Sequence, residues 1–187
     1  MDEATVVAAA SAGDGDAFMG LVELHQAKVR ALARGLVGDP ALAEDVAQDT
    51  FLRAWQGLGG FRQEASFSSW LYAITRRTAL EHARRRRRRE EVPLEAAPAR
   101  EDGRSADPVL RLDLDRALAQ LDTEQREAFL LVAVLGLPYQ EAATVLGCPF
   151  GTVASRVARA RARLAAWLTG DGVEGSRQRA SGEEVTR

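Results

Sequence analysis

Apolar positions recur at three- and four-residue steps along most of the chain, the spacing that lines one face of an α-helix. Phe18, Leu21, Val22, His25, Val29, Leu32 and Leu36 make the first stripe; Asp14 or Asp16 can cap its start and Gly38 stops it. Asp39-Pro40 restarts a helix, with the aspartate as cap and the proline in the first turn. This second helix carries Leu42, Val46, Phe51 and Trp55 and ends at Gly57 to Gly60. Ser66 can cap a third, with Phe67, Trp70, Leu71, Ile74 and Thr78 on one face, running on into a row of arginines. From Glu90 to about Asp107 the prolines, Gly103 and several acids break any period, as a flexible linker would. Asp107-Pro108 repeats the cap-and-proline signal ahead of Leu110, Leu114, Leu118 and Leu121. Asp122 with Gln125 resembles a capping box for a helix that carries Phe129, Val132 and Leu135 and ends at Gly136. Two shorter helices follow, split at Gly147. No alternating strand pattern and no internal repeat is present. The expected fold is all-α, with two small helical domains at 14–89 and 108–169 joined by a flexible linker at 90–107. The segments 1–13 and 170–187 are expected to be disordered, the latter because it is polar and glycine-rich.

A chain of 187 residues with 46 % hydrophobic content can build one medium core or two modest ones. No stretch approaches the roughly 20 apolar residues of a membrane span. The acidic start lacks the basic flank of a secretory signal, so a cytoplasmic location without membrane insertion is expected. The single cysteine, Cys148, rules out an intrachain disulfide, and with His25 and His82 far apart a Cys/His zinc site is not expected. No carboxylate cluster, metal-ligand set or phosphate-cradling glycine loop points to catalysis, so no catalytic residue, metal, cofactor or small-molecule substrate is expected.

The net charge of −2 conceals an uneven distribution. Lys28 is the only lysine, and the arginines gather at 76–89 and 156–163. The acids gather in the N-terminal third and at 90–107. A guanidinium is a planar fork suited to phosphates and base edges. Two basic clusters flanking an acidic segment fit two DNA contacts on one chain, or two solvated helical faces.

The segment YQEAATVLGCPFGTVASRVARARARL separates these readings. Ala143 is small where two helices must cross, Gly147 can end the first in the left-handed conformation, and Cys148 and Pro149 occupy the turn. Val153, Val157, Ala160 and Leu164 then form an apolar stripe, with Thr152, Ser155, Arg156, Arg159 and Arg163 on the other side. Between Gly151 and Leu168 there are four arginines and no acid, where an ordinary surface helix mixes both signs. One packed face and one donor-rich face are what a major-groove recognition helix requires. On the second helix, Asp45, Gln48, Asp49 and Leu52 share a face that is acidic, amide-bearing and tipped by a leucine. It suits a basic, partly apolar partner surface, or is simply solvated.

The motifs carry a family resemblance. GCPFGTVASRVARARARL and the preceding LDTEQREAFLLVAVLGLPYQEAATVLG resemble the last conserved region of the sigma-70 family, in its extracytoplasmic-function group. AEDVAQDTFLRAW resembles the family's core-polymerase-binding helix, and FSSWLYAITRRTALEHARRRRR its −10-reading helix. The resemblance implies a non-enzymatic factor that binds core RNA polymerase and directs it to promoter DNA, often under an anti-sigma protein, in a stress or envelope-signal response. It implies that Asp45, Gln48, Asp49 and Leu52 face the polymerase. Phe61, Tyr72, Arg76, Arg77, Arg84 and Arg85 would hold the unpaired −10 strand, and the helix-turn-helix would read the −35 element. The alternative is a stand-alone helix-turn-helix regulator, which would not need the acidic face. The two promoter elements lie roughly 16 to 19 base pairs apart, or about 60 Å. About 17 extended linker residues can reach that far. Pro138, Ala154, Ala158 and Arg77 depart from common family residues. The two alanines imply weaker −35 reading, and Arg77 an altered −10 preference.

Overall fold

The computed structural model describes residues 2–62, 64–90 and 115–169. Of the linker expected at 90–107, Glu90 ends α4, and residues 91–107, the helix start at Asp107-Pro108 and the tail at 170–187 lie outside the described residues. The N-terminal domain comprises α1 (Glu3–Ser11), α2 (Gly15–Val37), α3 (Pro40–Gly57), a 3₁₀ turn (Leu58–Gly60) and α4 (Phe67–Glu90). The C-terminal domain begins with a helical stretch at 115–119. It continues through α5 (Thr123–Phe129), a π-helical turn (Leu130–Val134), α6 (Tyr139–Leu146) and α7 (Phe150–Leu168). No strand occurs among the described residues.

Most boundaries follow from the residues at them. Asp14 Oδ1 accepts from the N–H groups of Asp16 and Ala17 at 2.9 and 3.0 Å, so Asp14 caps α2. Asp39 caps α3 through the N–H groups of Ala41 and Leu42. Ser66 Oγ accepts from Ser69 N at 3.2 Å at the start of α4. Gly38 and Gly147 close α2 and α6 with φ of 72° and 65°, a conformation that costs a side chain-bearing residue about 1 kcal/mol or more. Two expectations are corrected. Residues 1–13 are not wholly disordered: α1 buries Val7 and Ala10, and Ser11 Oγ donates to Leu58 O at 3.3 Å. Its alanines favour helix but give only a short apolar face, too short for periodicity to register. The capping box at Asp122 does not form. Asp122 has cap backbone geometry without a side-chain cap bond, and its carboxylate turns instead to Arg163 Nη1 at 3.5 Å.

The cores of the two domains are continuous. Leu21, Val29, Leu32, Leu58 and Leu71 belong to the same buried cluster as Leu118, Leu121, Leu130, Leu131, Val153 and Val157. The junction is close: a Cβ at Gly35 of α2 would lie 2.7 Å from the methyls of Leu130. Asp115 accepts from Arg34 of α2 at 2.7 Å, a hydrogen bond that raises the arginine's pKa.

Beneath α1, His25 is buried, with Nε2 3.2 Å from Glu3 Oε1 and its ring 5.2 Å from Phe67. Burial holds its pKa below the ordinary value against the opposing pull of Glu3. The unfolded chain therefore takes up the proton first as pH falls. The resulting stability is full above about pH 6.5 and is lost below it. The thermal midpoint should fall between pH 7.5 and 5.5, and His25→Gln should flatten that dependence; an equally steep profile in the variant would contradict the assignment.

Candidate functional site

Three surfaces carry the residues singled out from the sequence. On α3, Asp45 and Gln48 are exposed, Asp49 is half-buried and Leu52 is 55 % exposed, while Val46 is fully buried and Leu42 and Phe51 are partly so. The structure thus keeps all four side chains on one accessible face. Two bridges from α4 hold its edges: His82 Nε2 lies 2.8 Å from Asp49 Oδ2, and Arg53 donates to Glu81 at 2.7 Å. The Arg53 hydrogen bond keeps the Glu81 carboxyl below its usual range. Trp55, 39 % exposed and 4.9 Å from Phe18, extends the same side by one turn. Sequence periodicity alone assigned this ring to the apolar stripe.

The second surface is α4 and the loop before it. Phe61, Phe67 and Trp70 form an aromatic cluster, with Phe61 5.0 Å from Trp70 and 6.0 Å from Phe67. Tyr72 requires a correction. It is 0 % exposed, and burial raises its pKa against the opposing hydrogen bond with Ser68. In this structure the ring fills the N-terminal domain's interior and cannot touch DNA. Arg77, Arg84 and Arg85 are exposed. Arg77, Arg84 and Arg88 follow i, i+7 and i+11, one basic edge along α4. Arg86 pairs with Asp39, whose carboxyl that contact holds low.

Arg76 stands apart from that edge. Its guanidinium is bound by Glu127 of α5 at 3.0 Å, and the Glu127 side chain is only 4 % exposed. A second carboxylate crosses the junction nearby. Glu141 Oε2 of α6 accepts from both Ser66 Oγ and Ser69 Oγ at 2.5 Å, at the first turn of α4. Those two hydroxyls keep the Glu141 carboxyl below its usual pKa. Neither Glu127 nor Glu141 was singled out from the sequence. With Arg126 directly before it, Glu127 carries no local sign in the sequence that it is buried and paired elsewhere.

The third surface is the helix-turn-helix α6–α7. Val153, Val157 and Ala160 are buried and Leu164 partly so, as the stripe requires. The opposite side divides the expected contacts. Thr152, Ser155 and Arg159 stay together: Ser155 Oγ donates to Thr152 O, and the exposed Arg159 donates to Ser155 Oγ at 3.1 Å. Arg156 and Arg163 lie on the flank against α5. Arg156, its side chain 18 % exposed, pairs with Glu124 and lies 3.5 Å from Cys148 Sγ, and Arg163 faces Asp122. The outward surface of α7 otherwise presents Gly151, Ala158 and Ala162, with the exposed Arg161 to one side. Phe150, 52 % exposed and 5.7 Å from Tyr139, stands at its start.

Comparison with known families settles what this arrangement belongs to. Residues 21–89 match the model of sigma-70 region 2, and residues 111–164 match that of sigma-70 region 4. The chain belongs to the sigma-70 family. It is 39 % identical over 166 residues to the extracytoplasmic-function sigma factor SigM of Mycobacterium tuberculosis, covering 89 % of this chain and 84 % of that one. It is 38 % identical to SigC of the same species over 179 residues, covering 93 % and 96 %. Among solved structures, CnrH in complex with the cytosolic domain of CnrY superposes with a TM-score of 0.70 at 32 % identity, covering 89 % of this chain and 97 % of that one. The sigma factor RpoE of Bartonella quintana, in complex with the anti-sigma factor NepR, gives 0.68 at 32 %, covering 81 % and 96 %. As a sigma factor of the extracytoplasmic-function group, the protein binds core RNA polymerase and directs it to promoters for transcription initiation. The acidic face of α3 and the basic edge of α4 both fall within region 2, and the helix-turn-helix within region 4.

The burial of Tyr72 makes a direct prediction for this sigma factor. Tyr72→Phe removes only the hydroxyl beside Ser68 and should leave promoter opening within about twofold of wild type and change stability by no more than about 1.5 kcal/mol. Tyr72→Ala should lose about 3–5 kcal/mol in urea unfolding. A large loss of promoter opening in Tyr72→Phe with normal stability would place the hydroxyl on DNA instead.

Proposed function

We propose that this sigma factor reads its promoter in two parts, with a defined division of labour among the residues above. The single observation that carries this reading is that region 2 presents a polymerase-compatible acidic face and a basic helix edge on opposite elements, α3 and α4. The Asp45, Gln48, Asp49 and Leu52 face docks on core polymerase, and Trp55 extends it. Leu52 and Trp55 supply the apolar centre of that contact, and the carboxylates and amide around them its polar rim. The basic edge of Arg77, Arg84 and Arg88, with Arg85 beside it, follows the phosphates of the −10 region. Phe61, beside Trp70, offers a stacking surface for an unpaired base. Region 4 places the N-terminal end of α7 in the major groove, where Thr152, Ser155 and Arg159 reach base edges. Arg156 and Arg163 hold α7 against α5 and stiffen that presentation rather than specifying sequence.

The chain itself performs no catalysis in this reading and acts in the cytoplasm, where its polymerase is. Among the described residues no helix is long and apolar enough to cross a membrane, and no group of metal-ligating side chains is present. Relatives solved with anti-sigma partners support control of this chain by a protein of that kind, released by a stress or envelope signal.

Run-off transcription with core polymerase should give a defined start site, whereas the chain alone binds promoter DNA weakly. Gln48→Ala with Asp49→Ala should weaken core binding at least tenfold without unfolding the domain, and unchanged affinity would remove the polymerase from this face. Arg159→Ala should cost about 1–3 kcal/mol of −35 discrimination. Arg156→Ala should lower stability of region 4 more than it alters sequence preference.

A further inference from the structure

The outer face of α3 is held from the side by two neighbouring residues of α4. His82 Nε2 lies 2.8 Å from Asp49 Oδ2, and Glu81 accepts from Arg53 Nη2 at 2.7 Å. A carboxylate only accepts, so His82 Nε2 carries a proton and donates. The contact ties one oxygen of Asp49 and leaves Oδ1 without a hydrogen bond among the described residues, on a side chain that is 38 % exposed. Arg53 stands four residues after Asp49, the spacing at which an acid and an arginine pair along one helix. No such ion pair forms among the described residues. The hydrogen bond to Glu81 is the largest cause of the raised Arg53 pKa, and the Asp49 charge is a lesser one. The guanidinium thus lies within the field of Asp49 but is drawn across to α4.

Neither bridge is needed to join the two helices. Val46 of α3 and Ala79 of α4 are buried in one cluster, and Ala47 and Ala54 share another with Leu71. Side-chain pairs as accessible as these two add little to stability. We propose that His82 and Glu81 are positioning residues for polymerase docking: His82 fixes the Asp49 carboxylate with Oδ1 open to the partner, and Glu81 keeps Arg53 from neutralising it. The inference rests on the assignment of the α3 face to core polymerase and adds the two α4 residues on which that face relies. A carboxylate already held in one rotamer loses less freedom on docking. A carboxylate left unpaired within its own helix keeps its charge for a basic group on the polymerase. Asp45, four residues before Asp49, repels it across one helical turn, a cost that a basic partner relieves.

The test is competition of full-length variants against fluorescently labelled wild type for purified core RNA polymerase. His82→Ala should weaken binding about fivefold. His82→Gln, whose amide nitrogen takes the place of Nε2, should stay within about twofold of wild type. In an Asp49→Ala background, His82→Ala should have no further effect, whereas a merely structural role would carry its loss into that background. Glu81→Gln should weaken binding about fivefold by releasing Arg53 onto Asp49, and adding Arg53→Gln should restore affinity to within about twofold of wild type. The thermal midpoint of each variant establishes that it is folded; if His82→Ala is not, the Glu81 series decides. Unchanged affinity in His82→Ala or Glu81→Gln, failure of either rescue, or a His82→Ala loss that persists without Asp49 overturns the proposal. Asp49→Ala itself separates the two levels. If it binds core as tightly as wild type, the polymerase assignment of the face is refuted. If it weakens binding while His82→Ala and Glu81→Gln are inert, only the positioning role is refuted.

Discussion

A buried carboxylate next to hydrophobic side chains is tolerable only when a donor meets it, and the arrangement of this molecule depends on that constraint at Glu127. Its side chain is 4 % exposed, beside Leu131 of its own domain and Leu32 and Leu36 of α2. Removing one partner of such a pair leaves a charge without water or counter-charge, at a cost of several kcal/mol. Arg76 must therefore be within reach whenever the domains are closed, and its position on α4 fixes how region 4 sits on region 2. Gly35, Leu130 and the Arg34–Asp115 pair belong to the same junction.

Local chemistry upstream sets the stage for that junction. Asp14, Gly38 and Asp39 define the ends of α2 and the start of α3. Those boundaries bring α4 alongside, where His82 and Glu81 clasp Asp49 and Arg53 and leave the outer face of α3 free. In region 4, Arg156 and Arg163 spend their charge on Glu124 and Asp122. The helix reaching toward DNA is left with small residues and Arg159.

Helix existence and the apolar faces were legible because each stripe kept a 3.6-residue period between capping signals. The acidic face of α3 was legible for the same reason: four side chains at i, i+3, i+4 and i+7 stay together whatever the tertiary packing. What periodicity could not reveal was which polar residues are used up internally. Tyr72 looked like a base-stacking ring because it stands among arginines, yet α4 turns it inward. Arg156 and Arg163 stand among the donors of α7 in sequence, and their pairing with Glu124 and Asp122 is a tertiary contact that the helix period does not carry. The missed α1 has the opposite cause: a helix of nine residues carries too few turns for a stripe to stand out. The closure of the two domains, made by residues some 50 to 80 positions apart, is a tertiary fact that no local pattern encodes.

The two domains lie against each other in the free factor, and reading two promoter elements at once requires them to separate. Energy transfer between dyes at Gln56→Cys and Leu168→Cys, in a chain carrying Cys148→Ser, measures this directly. The account predicts one compact, high-transfer population for the free chain. With core polymerase and promoter DNA, a low-transfer population should replace it, as the domains take up sites about 60 Å apart. A free chain that already shows low transfer, or a promoter complex that keeps the compact value, would contradict it.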